Sequence, residues 1–151
     1  MKKILFLTTG GTIASSSSEE GLVPSLTSEE ILHYLGEHHG DIEITCEDLL
    51  RLDSSNMQPE EWQLIARRIA EAKSGYDGIV LSHGTDTMAY TAGALSFMLR
   101  NLDIPLIITG SQLPLLHPLS DGVENIRVAF TAVCELSLIH ISEPTRLQLI
   151  S

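Results

Sequence analysis

At 151 residues the chain is about one domain, long enough to bury a packed core. Its formal net charge of −11 repels nucleic acid and anionic membrane alike, which argues against both as partners. Cys46 and Cys134 fall in different predicted elements without metal or redox spacing, and no apolar run approaches membrane-spanning length.

In chain order, Lys3-Ile4-Leu5-Phe6-Leu7-Thr8 reads as a strand buried on both faces, as in a parallel sheet. The short apolar run after Met1-Lys2-Lys3 is too brief for a signal-peptide core, so a cytoplasmic location is expected. The strand runs into Thr9-Gly10-Gly11-Thr12, where two glycines allow a sharp turn and close approach of a ligand. The third glycine of G-x-G-x-x-G is missing, no G-K-[ST] follows and no basic residue is present, so a nucleotide site is the weaker reading. Ser15 to Gly21 reads as a polar loop. Thr27 and Glu30 have capping-box spacing ahead of a helix through Leu35. His33, His38 and His39 lack paired acidic ligands, and no metal site is expected.

Asp41 to Cys46 alternates as a strand with one wet face. Asp53-Ser54-Ser55 reads either as a turn ahead of the helix that Pro59 opens, or as a clamp for the amino and carboxylate groups of an amino acid. The helix Glu60 to Lys73 places Trp62 with Ile65, Ile69 and Ala70 on a core stripe. Gly78-Ile79-Val80-Leu81-Ser82 is a second doubly buried strand, and it ends in His83-Gly84-Thr85-Asp86-Thr87 before a helix from Ala89 to Leu99. Asp86 and Thr87 either cap that helix or face a small polar substrate at the carboxyl ends of the strands. Ile104 to Thr109 is a third such strand, ending in Gly110-Ser111-Gln112. Ser120-Asp121-Gly122 starts a helix from Val123 to Cys134, where Asn125 has either backbone or substrate to bind, and His117 is a loop residue. Three strands that each end in glycine and a hydroxyl argue for a site, because capping alone does not require it.

Thr9-Gly10-Gly11-Thr12-Ile13-Ala14 and His83-Gly84-Thr85-Asp86-Thr87 resemble the two signature motifs of bacterial-type L-asparaginases. Leu52 to Trp62 is similar to the family's substrate-side loop, and Thr109 to Pro114 and Ser120 to Asn125 are further matches; Thr87 to Leu99 is closest to the cytoplasmic type I branch. The resemblance covers Met1 to about Glu135, the larger domain of a two-domain enzyme. It implies an α/β, flavodoxin/Rossmann-like fold, a parallel-type sheet flanked by helices, truncated before the second domain. It also implies hydrolysis of L-asparagine, with L-glutamine as a further substrate, by a homodimer or homotetramer without metal or organic cofactor. Thr12 would be the nucleophile, with Thr85 and Asp86 catalytic. Asp53, Ser54 and Ser55 would hold the amino-acid end, Gly11 and Gly84 would supply backbone donors, and Ser111 would contact substrate.

Two departures follow from the resemblance. The tyrosine that the family places about a dozen residues past the nucleophile is absent, for the chain reads Gly21-Leu22-Val23-Pro24 there. The family's lysine some seventy residues beyond the Thr-Asp pair falls past Ser151. From Leu136 the sequence, Leu136-Ser137-Leu138-Ile139-His140-Ile141-Ser142-Glu143-Pro144-Thr145-Arg146, resembles the in-frame translation of a common transposase sequencing adapter, which resumes at Ile150-Ser151 after three index-encoded residues. Residues 136–151 are therefore expected to be a non-native tail. Two rival readings are the asparaginase-like subunit of an archaeal-type tRNA amidotransferase, whose extra N-terminal domain is not seen before Lys3, and a non-enzymatic Rossmann-type nucleotide-binding module.

Overall fold

Strands β1 (Lys2–Gly10), β5 (Gly78–Ser82) and β6 (Leu106–Thr109) are apolar on both parities, and in the computed structural model they form adjacent parallel strands buried on both faces. The structure describes residues 1–11, 15–18, 21–24, 26–34, 41–138 and 147–150, with 15–18, 21–24, 138 and 147–150 described by backbone alone. The sheet is completed by β4 (Ile42–Leu52) on one edge and β7 (Leu147–Ile150) on the other, in the order β4-β1-β5-β6-β7 with every pair parallel. That is the flavodoxin-like winding. The chain leaves β1 toward β4, then crosses back to β5 and continues the other way, so the strand order reverses between β1 and β5. A crevice opens at such a reversal outside the carboxyl ends of the strands.

The two faces of β1 carry separate cores. Leu5 and Leu7, with Ile79, Leu81 and Ile108, pack against α2 (Pro59–Ala72) through Ile65 and Ile69, and against α3 (Met88–Met98) through Met88 and Leu95. Ile4 and Phe6, with Val80 and Ile107, pack against α1 (Ser28–His33) through Ile31 and against α4 (Gly122–Leu138) through Ile126, Phe130 and Val133. Phe6 and Phe130 meet edge to face at 5.4 Å, the arrangement that the ring quadrupoles favour. Each fully buried aliphatic side chain contributes about 1.5–3 kcal/mol.

The expected helix starts are present. Thr27 accepts from the Glu30 amide while Glu30 reaches back to the Thr27 amide, and Pro59 occupies the first turn of α2. Three boundaries differ from expectation. β4 continues to Leu52 instead of stopping near Cys46, because its two acidic residues are compensated: Glu47 pairs with Arg68 at 2.7 Å, and Asp48 accepts from the Thr8 hydroxyl and the Ser28 amide. Ser15 to Gly21 is not loop throughout, since β2 (Ser15–Ser18) pairs antiparallel with β3 (Gly21–Pro24). α4 runs unbroken through Leu138, past Glu135, and β7 pairs with β6.

Lys2 Nζ donates to the Cys134 carbonyl and the Ser137 hydroxyl at the far end of α4, and Lys73 Nζ reaches the Asn101 carbonyl beyond the C-terminus of α3. With Lys3 they gather at the amino-end side of the sheet. Cys46 and Cys134 are both free and partly buried; burial pushes the Cys46 thiol up to about 11 and raises Cys134 also, so neither is a thiolate at neutral pH. Among the described residues no helix is long and apolar enough to cross a membrane, and no group of three or more His, Cys, Asp or Glu side chains could hold a metal.

Candidate active site at the strand tips

Four strands end in contact with one another, and small residues make this possible. Gly10 and Gly11 have φ of 90° and 82°, the left-handed region that glycine enters at little cost. The Gly11 amide donates to the Leu52 carbonyl at 3.2 Å, which ties the tip of β1 to that of β4. A Cβ on Gly11 would lie 2.6 Å from the backbone of Gly84, and a Cβ on Gly84 would lie 2.5 Å from Ser54 Oγ. Gly110, at the end of β6, packs against the His83 carbonyl and Met88. The tips of β1, β4, β5 and β6 thus converge on the β1/β5 reversal.

The residues expected to act fall around this point in different ways. Thr85 is half-buried and its hydroxyl lies 3.5 Å from Gln112 Oε1, so the β5 and β6 turns touch. Asp86 is exposed beside it. Thr87 stands at the N-cap of α3 but makes no side-chain cap bond; its hydroxyl donates instead to the Ser54 carbonyl at 2.8 Å. That bond ties the β5 turn to the Asp53–Ser55 turn. Asp53 caps a single 3₁₀ turn over Ser54–Asn56, accepting from the Ser55 amide at 2.9 Å, so the turn-forming reading of this segment holds. Ser54 is buried against Gly84, while Asp53 and Ser55 are exposed. Ser111 is buried with its hydroxyl directed to the Leu113 carbonyl, and Asn125 Nδ2 donates to the Gly110 carbonyl; both support the β6 turn. Thr12 and Ile13-Ala14 lie outside the described residues, as do His38 and His39. Asp53, Asp86 and Asp121 form an exposed acidic rim at this end of the sheet.

Sequence reasoning passed over several groups beneath the tips. Thr9 donates to the Ser82 carbonyl at 2.9 Å, tying β1 to β5. Ser82 Oγ and Thr109 Oγ1, register partners on β5 and β6, are buried without a partner among the described residues. For Asp48, burial raises the carboxyl, but the Thr8 hydroxyl and the Ser28 amide and hydroxyl outweigh it and hold it below the usual carboxylate value. His83 is fully buried; Nδ1 is 2.6 Å from the Gly84 carbonyl and Nε2 is 2.8 Å from the Thr91 hydroxyl. The signal for it was a histidine continuing an apolar strand, Ile79 to Ser82.

Burial lowers the His83 pKa below its ordinary 6.5, against the opposing pull of the Gly84 carbonyl. The unfolded chain therefore takes up this proton first as pH falls, so the contribution is complete above about 6.5 and declines below it, through the folded-state value. The urea midpoint is expected to be lower at pH 5.5 than at 7.5, and this difference should shrink in His83→Gln. An unchanged pH dependence in that variant would show that other groups set it.

Chemically, the tips offer hydroxyls, a carboxylate and backbone amides around glycines, and the described cation near them, Arg51 at the end of β4, faces Asp48. This suits a small polar substrate more than a phosphate. The family model for the N-terminal part of asparaginase matches residues 3–141. The chain belongs to the asparaginase family. It is 50% identical over 130 residues to L-asparaginase of Thermococcus kodakarensis, covering 85% of this chain and 40% of that protein. It is 44% identical over 132 residues to a subunit of the glutamyl-tRNA(Gln) amidotransferase of Saccharolobus islandicus strain M.14.25, covering 85% of this chain and 30% of that one. The solved structure of the T. kodakarensis L-asparaginase superposes with a TM-score of 0.82 at 47% identity, covering 88% of this chain and 41% of that one. The chain thus spans about two-fifths or less of the length of these asparaginase-family relatives.

Proposed function

We propose that this chain is the N-terminal part of an L-asparaginase that hydrolyses L-asparagine to L-aspartate and ammonia, with Thr12 as nucleophile. The contact of Gly11 with Gly84 carries this reading. Thr12 and Thr85 each follow directly on one of these glycines in the sequence, so each proposed catalytic threonine is the next residue along from this backbone contact. Thr12 Oγ1 attacks the side-chain amide carbon, the C–N bond breaks with a proton delivered to the departing ammonia, and water hydrolyses the resulting acyl ester. Thr85 and Asp86 orient the substrate and its proton traffic. Asp53, Ser54 and Ser55 receive the amino-acid end, and backbone amides of the Gly11 and Gly84 turns stabilise the oxyanion. The same site would accept L-glutamine as a longer homologue, and the parent enzyme would be a cytoplasmic homodimer or homotetramer.

A threonine hydroxyl needs a base at neutral pH. Lys2, Lys3 and Lys73 stand at the other end of the sheet from Thr85, and Leu22 occupies the place of the family's tyrosine. The 151-residue chain is therefore expected to release no ammonia from L-asparagine, whereas the full-length protein should. Ammonia release by the purified chain that Thr12→Ala abolishes would show that a base is already present. The 44% identity to an amidotransferase subunit favours one rival, and ammonia release by the full-length protein that requires tRNA would establish it. Residues 136–151, by the same proposal, are translated adapter, and gene sequence in place of adapter bases after the Glu135 codon would overturn that.

A further inference from the structure

The buried side of the Thr85 turn holds a chain of three hydrogen bonds that none of the roles above uses. Trp62 Nε1 on α2 donates to Thr91 Oγ1 on α3 at 2.8 Å, Thr91 Oγ1 meets His83 Nε2 at 2.8 Å, and His83 Nδ1 meets the Gly84 carbonyl at 2.6 Å. A carbonyl only accepts, so Nδ1 carries hydrogen, and in the neutral ring that burial favours Nε2 is left as an acceptor. The Thr91 oxygen accepts from Trp62 and donates its own proton to Nε2. His83 and Thr91 are both fully buried, where an unpaired polar group is costly, so the chain is all or nothing.

We infer that Thr91 is a positioning residue: with its oxygen held by Trp62, its hydroxyl keeps His83 as the Nδ1–H tautomer, which clamps the Gly84 carbonyl and so sets the Gly84–Thr85 peptide. The peptide is trans, and in a planar trans peptide the carbonyl and the following N–H point in opposite directions. Clamping the Gly84 oxygen toward the buried ring therefore aims the Thr85 amide away from it. Thr85 itself is left half-buried at the tip, its orientation set from below. Among the described residues no charged side chain contributes to the His83 shift; burial lowers it and the Gly84 carbonyl opposes. The kinetic consequence rests on the asparaginase reading, but the clamp does not.

The test compares Thr91→Val, which keeps the shape and removes the hydroxyl, with Thr91→Ser, which keeps the hydroxyl, in the full-length protein. A tip out of register by a fraction of an ångström should lower kcat by roughly tenfold, with KM for L-asparagine within about twofold, and Thr91→Ser should restore most of the loss. Nitrogen-15 NMR of the same proteins reads the clamp without activity: wild type should show His83 as the Nδ1–H tautomer alone, and Thr91→Val should raise its pKa, because Nε2 loses the donor that favours its neutral form. A Thr91→Val protein with unchanged kcat and unchanged His83 titration, or a Thr91→Ser protein no better than Thr91→Val, overturns the inference. If wild type releases no ammonia, the activity reading fails and the His83 titration alone decides the clamp.

Discussion

Gly11→Ala is expected to destabilise the chain by on the order of 3 kcal/mol or more, a large part of the 5–15 kcal/mol that holds a typical domain folded. Two costs add. The φ of 82° alone costs an L-residue roughly 1–2 kcal/mol, and the new methyl would stand 2.6 Å from Gly84 N and Cα. Those are backbone atoms of the neighbouring strand tip, and they cannot swing aside. Gly84→Ala is a different case, because its φ is not positive and its Cβ meets Ser54 Oγ and Cβ at 2.5 and 2.6 Å. A side chain can be removed. Gly84→Ala should therefore be rescued in large part by Ser54→Gly, while no single side-chain deletion rescues Gly11→Ala. Urea midpoints of the four proteins test this; a double mutant as unstable as Gly84→Ala would mean that the Ser54 contact is not the obstacle.

Thr12→Ala and Thr85→Ala should each lower turnover of the full-length protein by roughly 10⁴-fold or more, the scale seen when one member of a catalytic unit is removed. The expectation follows from the proposed mechanism, in which the nucleophile Thr12 and the orienting Thr85 act as a unit rather than as independent contributors. The double mutant should then be little worse than either single one. Ammonia release within tenfold of the parent in either variant would take that threonine out of the mechanism, and additive losses would separate their roles.

The strands of this fold were readable because β1, β5 and β6 are buried on both faces, which leaves an unbroken apolar run that stops where the polar tip begins. The glycines were readable as turns. Their deeper constraint, backbone meeting backbone across strands, depends on Gly84 being laid against Gly11 over seventy residues away, and no local pattern encodes that. β4 shows the opposite difficulty. Glu47 and Asp48 interrupt its alternation, and only the positions of Arg68, Thr8 and Ser28 explain why the strand continues. Trp62 was read as core from helical spacing, and half of that stands: its ring is partly buried beside Ile65, while its N–H begins the bond chain to His83. Periodicity reports which face a residue is on, but not what its polar atom reaches. Likewise Thr87 had the right position for a helix cap, yet its hydroxyl joins the Ser54 turn instead.

Asp53, Asp86 and Asp121 place three exposed carboxylates around the strand tips, with Arg51 at the end of β4 beside them. In the proposed reaction the incoming amino acid is a zwitterion with no net charge, and the departing aspartate carries one net negative charge. A field of this sign does little to draw the reactant in, since its two ends are pushed and pulled almost equally. It pushes the product outward, by about 1 kcal/mol for each rim carboxylate 4 Å away in water, and the push fades beyond about 8 Å at physiological ionic strength. In that proposed reaction the rim would act as a rectifier for traffic through the mouth, indifferent to arrival and favouring departure.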